Sequence, residues 1–525
     1  MPGSGPLNPT GKTTHTVEQL PLDSFGNRDQ DGLMRLLEYA RSQSVEVGKP
    51  VLVSITLPGR FLDPLVVLQM VNDPGMAHFF LQSSVLGCSV AGAEPVMEAF
   101  VEGEDRFRRA RQQAADWFGH AVCVGDFDLP FAGPHVLCSF GFEDTCGNAE
   151  PFDAAGHIYI PRWHVASNGG RYSAVANLAV DADTDLQASA DGLLRAHRRF
   201  SEFDFSLCNP EENPQPDRRT RVRVPDGSKE SFLRGVRMVL DRIREGKVGK
   251  VVLSRACEVE SDQEWHALEI VERLRASHPE CHVFAIQNGS GANLIGASPE
   301  RLVSLHAGQY RTEALAGSIA RGSHARMDAF LAGRLLDDPK EITENRVVYD
   351  SIRARLEGLG LRCELTGHPE ILSLSNIQHL RVPISGAVPE GMHVLSLVEA
   401  LHPTPALGGV PRIEALEMIR QIEGFPRGAY GGLTGWFNAK GEGDFVVNIR
   451  CAVVSGKLVW IRAGAGIVEG SDPDREWNET ALKLDSMLSS LVSEDEFQGA
   501  AGVVSGVDVL PVDAAEKAGP DGSGL

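Results

Sequence analysis

Several features that define common protein classes are missing from this chain of 525 residues. No stretch approaches 18 uninterrupted apolar residues, which excludes a transmembrane helix, and the polar first residues lack the apolar core of a secretion signal. Basic residues are scarce: 50 Lys and Arg face 71 Asp and Glu, a formal net charge of −21. Phosphate-rich surfaces repel so acidic a chain, so we expect no nucleic-acid and no membrane partner.

Closely spaced cysteines are missing as well. The nine cysteines form no CxxC or CxxH grouping, and structural zinc sites need such pairs. An odd number of scattered cysteines is typical of reduced, buried thiols. We therefore expect a cytoplasmic protein without a zinc site, and we take it to be a monomer.

The composition that remains is globular, with 42% hydrophobic and 23% charged residues. The Pro- and Gly-rich ends predict a flexible leader over residues 1–30 and a disordered tail over residues 493–525. A segment rich in Pro and charge, 209–228, predicts a boundary between two halves. These are an N-terminal structural half, 31–228, and a second half, 229–492, that carries the chemical motifs.

Strand-like and helix-like stretches occur in both halves. The runs KPVLVSITL, PHVLCSFGFE and HIYIPRWHV are rich in β-branched and aromatic residues, and helices are predicted near 93–118 and 184–202. Turn residues recur at regular spacing between Gly431 and Ile467, which is typical of antiparallel meanders. The pattern predicts an α+β fold rather than a parallel βαβ sheet.

Two pairs of glutamates spaced i, i+3 stand far apart in the chain. Glu341 and Glu344 lie in a predicted helix, and Glu476 and Glu479 lie in the last predicted helix. Residues three apart share a helix face, so each pair can direct two carboxylates at one point. Carboxylates that converge from two helices suit Mg2+.

The spacing alone is a weak signal, because Glu269/Glu272 and Glu414/Glu417 share it. A solvated helix face is the ordinary explanation for such a pair. The second functional pair, however, stands beside Arg462 and Lys483. A divalent cation together with nearby basic side chains suits a small, doubly anionic organic substrate.

Eight motifs follow one another in an order that resembles the chorismate-utilising enzymes and, among them, the isochorismate synthases. They are KVVLSR (250–255), IGASPERLV (295–303), TEALAGS (312–318), KEITEN (340–345), LHPTPALGG (401–409), YGGLTGW (430–436), VNIRCA (447–452) and AGAGIVEGSDPDREWNETALKL (463–484). The resemblance covers about 245–490. It implies one large mixed domain with antiparallel β-sheets packed face to face and surrounded by helices.

The resemblance also implies a reaction that the residues can serve. Isochorismate formation adds water at C2 of chorismate and expels the C4 hydroxyl, which requires a base and an acid. Lys250 matches the base, and a lysine serves as a base only where its surroundings favour the neutral amine. Glu300 matches the acid, because it follows a proline in a turn where burial can raise the pKa of a carboxyl group.

The two glutamate pairs match the magnesium site of the family. Glu344 and Glu479 match its direct Mg2+ ligands, whereas Glu341 and Glu476 match outer positions that act through metal-bound water. The ion would polarise the substrate carboxylate. The remaining matches are to substrate-binding positions: Arg450, Lys483, Tyr430, His402, the backbone of Gly464, Ala465 and Gly466, and the segment Ala316, Gly317 and Ser318.

Two departures separate the chain from the family members that add ammonia. Anthranilate and aminodeoxychorismate synthases carry glutamine in place of Lys250, and the latter have a lysine in place of Ala316. The resemblance therefore implies water as the nucleophile. Salicylate synthases, which go on to eliminate pyruvate, remain the alternative, although they resemble a version with threonine near Ala406. A non-catalytic chorismate-binding protein would have lost the base, the acid or a metal ligand.

Two further points complete the hypothesis. The sequence GAGIVEG superficially resembles a dinucleotide loop, but Glu469 stands where that fingerprint needs glycine, which excludes NAD binding there. Isochorismate feeds either menaquinone or siderophore synthesis. The long N-terminal half resembles the menaquinone branch, so the resemblance favours that pathway, with siderophore synthesis as the alternative.

Overall fold

The computed structural model describes most of the chain, and the fold is given for these parts. They are residues 18–20, 30–59, 63–71, 75–83, 87–147, 152, 155–201, 219–225, 227–365, 369–492 and 502–504. Most of the predicted leader and tail, and most of the predicted boundary segment 209–228, lie outside the described residues. Within the predicted leader, Glu18–Leu20 form a short strand.

Helices and strands occur throughout the described residues, and several strands follow one another directly. The helices are α1 (Gln30–Val47), α2 (Pro64–Val71), α3 (Arg106–Phe118), α4 (Leu186–Ser201), α5 (Ser228–Arg244), α6 (Ala267–Ser277), α7 (Ala325–Asp337), α8 (Pro339–Gly358), α9 (Val394–Leu401), α10 (Arg412–Glu423) and α11 (Pro473–Leu488). The strands are β1 (Glu18–Leu20), β2 (Val51–Pro58), β3 (His78–Ser83), β4 (Cys88–Phe100), β5 (Val122–Gly125), β6 (His135–Phe140), β7 (Gly156–Asn168), β8 (Arg171–Val180), β9 (Thr220–Arg223), β10 (Lys250–Ser261), β11 (His282–Gln287), β12 (Asn293–Ser298), β13 (Arg301–His306), β14 (Gln309–Ala320), β15 (Glu364–Leu365), β16 (Glu370–Ser373), β17 (Ile377–Ala387), β18 (Gly409–Val410), β19 (Leu433–Asn438), β20 (Gly443–Val447), β21 (Cys451–Ser455) and β22 (Leu458–Ile467).

The strands form a connected network with two antiparallel arms that meet at the long strand β7. Strands β4 and β6 pair with opposite edges of β7, since both lie beside Tyr159. The first arm runs β4-β3-β11-β12-β21-β22-β10. The second runs β6-β19-β20-β13-β14-β17. Strands of the first half thus pair with strands of the second half at β3–β11 and β6–β19, so the two predicted halves share their sheets.

The two arms pack face to face, as the sequence predicts. One buried cluster joins Phe79 and Phe284 from the first arm with Leu137, Trp436 and Val446 from the second. Full burial of each such side chain contributes roughly 1.5–3 kcal/mol to folding. Helix α8 packs on β14 of one arm and α11 packs on β22 of the other, so the sheets set the positions of both helices. The α+β prediction is confirmed.

One predicted helix is wrong in its first part. The stretch near 93–118 was expected to be helical throughout, and the structure has a helix only over Arg106–Phe118. Residues from Ala93 to Phe100 belong to β4, which pairs with β3 and β7. Pairing with β7 along this stretch, and with β3 at Ala93, outweighs the helix propensity of Ala, Glu and Met. No helix of the described chain is long and apolar enough to cross a membrane.

Candidate active site

A cavity lies between the ends of the two arms, and several predicted site residues line it. The lining residues are Val252, Pro299, Glu300, Leu315, Ala316, Gly317, Ser318, Glu344, His379, Ala406, Leu407, Tyr430, Ile449, Arg450, Arg462, Ala463, Gly464, Gly466, Glu479 and Lys483. They come from four strands, from α8 and α11, and from the connecting loops. Residues that are far apart in sequence therefore share one polar chamber.

The two helices that carry the glutamates begin in the same way. Asp338 caps α8 by accepting a hydrogen bond from the Lys340 backbone N–H at 2.9 Å, and Asp472 caps α11 by accepting one from Arg475 N–H at 2.9 Å. A proline follows each cap, where its fixed φ suits the first helical turn. The Asp-Pro sequence sets the first residue of each helix and therefore the turn of the helix on which the glutamate pair lies.

The four glutamates form an inner and an outer layer. Glu344 and Glu479 line the cavity, whereas Glu341 and Glu476 are buried behind them and do not. The outer pair lies in the first turns of the helices, where the helix dipole favours negative charge. This layering matches the division into direct and outer positions that the family resemblance implies.

Basic groups neutralise this cluster from several sides. The Lys340 ammonium lies 3.2 Å from Glu341 Oε1 and 3.2 Å from Glu476 Oε1. Arg475 Nη2 donates to Glu341 Oε1 at 2.8 Å, from the solvent side. Four carboxylates could not lie this close without such counter-charges, because the desolvation of each buried charge costs several kcal/mol.

The two carboxylates on α11 differ in their protonation. Burial and the charge of Glu479 raise the pKa of Glu476 to about 8. Burial also opposes ionisation of Glu479, but the ammonium groups of Lys483 and Lys340 outweigh it and hold the pKa of Glu479 well below its ordinary value. Ionisation is therefore favoured at the inner carboxylate and disfavoured at the outer one.

Lys250 is completely buried at the start of β10. Its Nζ donates a hydrogen bond of 2.9 Å to Glu344 Oε1. The neighbouring strand β22 makes room for this contact through Gly466, since a Cβ atom there would overlap Glu344 Oε1 and lie 2.7 Å from Lys250 Cε. A glycine at this position is thus a steric requirement of the Lys250–Glu344 pair.

This steric requirement gives a first prediction. Gly466→Ala is expected to reduce turnover at least ~100-fold, because displacement of catalytic groups by about 1 Å costs that much. The matched control is Gly333→Ala in α7, where an added Cβ meets nothing within 4 Å. Chorismate turnover and thermal melting of both variants check it; normal turnover of Gly466→Ala would contradict the packing argument.

Glu300 is buried in the turn between β12 and β13. Thr404 Oγ1 donates to Glu300 Oε1 at 3.3 Å, and the backbone N–H of Glu300 donates to Ser298 Oγ at 3.2 Å. Burial, reinforced by the nearby charge of Glu313, raises the pKa of Glu300 to about 8. The carboxyl group is therefore protonated at neutral pH and can donate a proton into the cavity.

One end of the cavity is lined by the basic side chains of Arg450 and Lys483. Arg450 is buried, takes a positive φ of 48°, and its Nη2 lies 3.4 Å from Nε2 of His379. Within the described residues no carboxylate forms an ion pair with Arg450, and burial lowers its pKa. Lys483 Nζ donates to Gly464 O at 2.9 Å and to Glu479 Oε1 at 2.7 Å. A buried arginine without an acidic partner suits a substrate carboxylate.

The segment Ala316–Ser318 reaches the cavity through an irregularity in β14. The register against β17 shifts between Leu315 and Ser318, and Gly317 takes a φ of +84°. Ser318 then makes two contacts: its N–H donates to Glu341 Oε2 at 2.8 Å and its Oγ donates to Glu479 Oε1 at 2.9 Å. Ser318 thus links the glutamate pairs of the two helices.

Five predicted residues are not among those that line the cavity. Glu341 and Glu476 are buried behind the inner glutamates, and Lys250 is completely buried with its Nζ on Glu344 Oε1. His402 is buried against Phe107 and Phe142, with its ring edge-on to both. The cis peptide bond to Pro403 follows it, and Thr404 of the same loop reaches Glu300 instead. Ala465 is also absent from the lining; it alternates along β22 with Gly464 and Gly466, so its side chain faces the other side of the sheet.

Three residues of the site were missed in the sequence. His379, Thr404 and Lys340 have no metal-ligand or nucleophile spacing that would single them out. Lys340 and Thr404 do stand inside the motifs KEITEN and LHPTPALGG, which is the one signal that could have indicated them. His379 comes from β17, outside every motif, and only the fold brings it to Arg450.

The donor set fits a magnesium ion in its chemistry. Glu344 and Glu479 offer carboxylate oxygens to the cavity, and Mg2+ takes one or two carboxylates while it keeps several waters. Neither oxygen of the outer Glu476 accepts a well-aligned hydrogen bond among the described residues. No three acidic, histidine or cysteine side chains of those residues already converge as a complete metal cage. Glu344 and Glu479 are therefore the residues that would hold the ion.

Comparisons with known proteins identify the family. Residues 37–492 match the family of chorismate binding enzymes, so the chain belongs to that family. Within it, the chain groups with the isochorismate synthases, which are isomerases. It is 32% identical to the salicylate biosynthesis isochorismate synthase of Pseudomonas aeruginosa, over 90% of this chain and 95% of that protein.

One further relative supports the same grouping, and a solved structure shows the same fold. The isochorismate synthase MenF of Bacillus subtilis is 28% identical, over 87% of this chain and 97% of that protein. The solved structure of MenF, the menaquinone-specific isochorismate synthase of Escherichia coli, superposes with a TM-score of 0.68 at 24% identity, over 87% of this chain and 100% of that one. The structural likeness establishes the fold.

Proposed function

We propose that this protein is an isochorismate synthase that converts chorismate to isochorismate with the help of Mg2+. The observation that carries the proposal is the joint presence of a buried lysine, a protonated buried glutamate and a buried arginine around the glutamate cluster. The reaction needs a base, an acid and a carboxylate anchor, and each of these requirements has a candidate here. Its membership of the chorismate binding enzyme family supports this proposal.

In the proposed mechanism the two catalytic groups act on the substrate ring. The oxygen of the attacking water bonds to C2 while Lys250 takes a proton from that water, and the ring double bond shifts. Glu300 gives its proton to the C4 hydroxyl, which leaves as water, so one water enters and one departs. Arg450 and Lys483 hold the substrate carboxylates and fix the ring between these two groups. When bound, Mg2+ would act as a Lewis acid on the ring carboxylate.

Metal removal gives the direct test. Incubation of the protein with chorismate and Mg2+, followed by chromatography, is expected to yield isochorismate. Chelation with EDTA is expected to stop turnover, and added Mg2+ is expected to restore it, because Glu344 and Glu479 would hold the ion against the substrate. Activity that persists undiminished after exhaustive chelation would contradict the metal assignment.

The products distinguish the competing functions. Salicylate together with pyruvate would identify a salicylate synthase, and chorismate recovered unchanged from a tight complex would identify a non-catalytic binding protein. We propose that the reaction stops at isochorismate, since Ala406 lines the cavity where salicylate synthases were expected to have threonine. The product would then feed menaquinone or siderophore synthesis.

A further inference from the structure

Lys340 occupies the point at which carboxylates of the two helices converge. Its Nζ lies 3.2 Å from both Glu341 Oε1 and Glu476 Oε1. Glu344 Oε2 is 3.5 Å away, and the Lys340 side chain is only 9% exposed. An ammonium group thus lies among three of the four glutamates that the proposed metal site uses.

The contacts of this ammonium group are electrostatic rather than directional. None of these carboxylates is aligned for a hydrogen bond with Lys340 Nζ among the described residues, although all three lie within ion-pair distance. A group held by charge alone can be exchanged for another cation without the loss of specific hydrogen bonds.

The position of Lys340 also allows its side chain to leave the glutamate cluster for the solvent. It is the second residue of α8, and its neighbours Pro339 and Ile342 are exposed. A change of rotamer in its flexible four-carbon stem can carry the ammonium group from the cluster to the solvent at this end of the helix.

Glu344 shows why the exchange would leave the catalytic lysine undisturbed. Its Oε1 accepts the hydrogen bond from Lys250 at 2.9 Å, while its Oε2 is the oxygen that faces Lys340. A divalent ion that replaced the Lys340 ammonium would use Oε2 and leave the Lys250 contact in place. The two functions of this carboxylate are therefore separate in space.

We propose that Lys340 is a built-in competitor for the divalent cation: its ammonium group holds the glutamates together, and the metal must displace it to bind. This inference rests on the proposed magnesium site. It makes metal affinity a balance between two cations, so the lysine weakens metal binding while it stabilises the protein that has no metal bound.

The test compares Lys340→Met with the wild type after treatment with EDTA, and uses Mn2+ as the probe. Methionine keeps the length of the stem but removes the charge, so the Kd for Mn2+ from calorimetry is expected to fall at least ~10-fold, since no ion pair must be broken. The chelated variant is expected to melt at a lower temperature than the wild type, and Mn2+ is expected to raise its melting temperature more.

Two control variants isolate the charge at this position. Lys340→Arg keeps a positive charge and is expected to keep weak Mn2+ binding. Lys247→Met removes an exposed lysine that pairs with Glu245 at 2.8 Å, and is expected to change neither the Kd nor the melting temperature.

The outcomes separate this inference from the function on which it rests. If the wild type binds Mn2+ and Lys340→Met binds it equally or more weakly, the competitor role is wrong and the metal site stands. If neither protein binds Mn2+, the proposed metal site fails and takes this inference with it. Tighter binding in Lys340→Met alone, with weak binding kept in Lys340→Arg, supports the proposal.

Discussion

Replacing Glu300 by glutamine is expected to lower kcat by roughly 10²–10⁴-fold, the usual contribution of a general acid. Glutamine has nearly the same shape and can still accept the hydrogen bond from Thr404, but it has no proton to give to the C4 hydroxyl. Chorismate binding should change little, because the anchors Arg450 and Lys483 remain. Rapid-quench kinetics and calorimetric binding measure the two effects separately; near-normal kcat would remove Glu300 as the acid.

The pH dependence follows from the same group. Since the pKa of Glu300 is raised to about 8, the proton-donating form prevails below that pH, and kcat is expected to fall as the pH rises through 8. The free energy of unfolding is also expected to fall as the pH rises. The folded protein keeps a proton on Glu300 that the unfolded chain loses above about 4.5, so this group destabilises the fold as the pH rises from 4.5 to 8. Glu300→Gln should lack this part of the pH dependence.

Glu313 supplies a matched control. It is a second glutamate in the same region, it accepts a hydrogen bond from the backbone N–H of Arg301 at 3.2 Å, and it does not line the cavity. Its charge helps to raise the pKa of Glu300. Glu313→Gln is therefore expected to keep turnover and to move the alkaline fall of kcat to lower pH. An unchanged pH profile in this variant would mean that another group sets the fall.

The glutamate pairs illustrate how much of the site the sequence could predict. The i, i+3 spacing places two side chains on one helix face whatever the surrounding fold, so the direction of Glu341/Glu344 and Glu476/Glu479 could be inferred from local geometry. That the two helices meet could not, since it depends on α8 packing against β14 and α11 against β22. Only the family resemblance supplied that information.

Lys340 shows what this kind of reasoning overlooks. Acidic side chains are the expected ligands of Mg2+. In the sequence, the lysine that precedes Glu341 therefore resembles an ordinary charge on a helix surface. Its burial arises from the approach of α11, which brings Glu476 within 3.2 Å of the ammonium group. His402 is the opposite case: its motif matched, yet the loop turns its ring toward Phe107 and Phe142.

Replacing Lys250 by glutamine is expected to reduce kcat by roughly 10²–10⁴-fold, because no group remains at this point to take the proton from water. Glutamine is preferred to alanine as the variant, since its amide can still donate to Glu344 Oε1. Alanine would leave Glu344 Oε1 without its hydrogen-bonded partner, and breaking a buried ion pair in this way costs about 3–5 kcal/mol and would confuse catalysis with stability. The measured kcat should therefore fall strongly, whereas the melting temperature should fall only a little.

Lys247 provides the control within the same segment, three residues before Lys250. It is 59% exposed and pairs with Glu245, whereas the Lys250 side chain is 0% exposed. Lys247→Gln should keep wild-type turnover. The Lys247 ammonium group lies in solvent outside the cavity, so it contacts neither the water that attacks C2 nor the substrate. If Lys247→Gln and Lys250→Gln lost activity equally, the loss would reflect the disturbed start of β10. If only Lys250→Gln lost it, the loss would identify the Lys250 amine, buried against Glu344 Oε1, as the group that takes the proton from water.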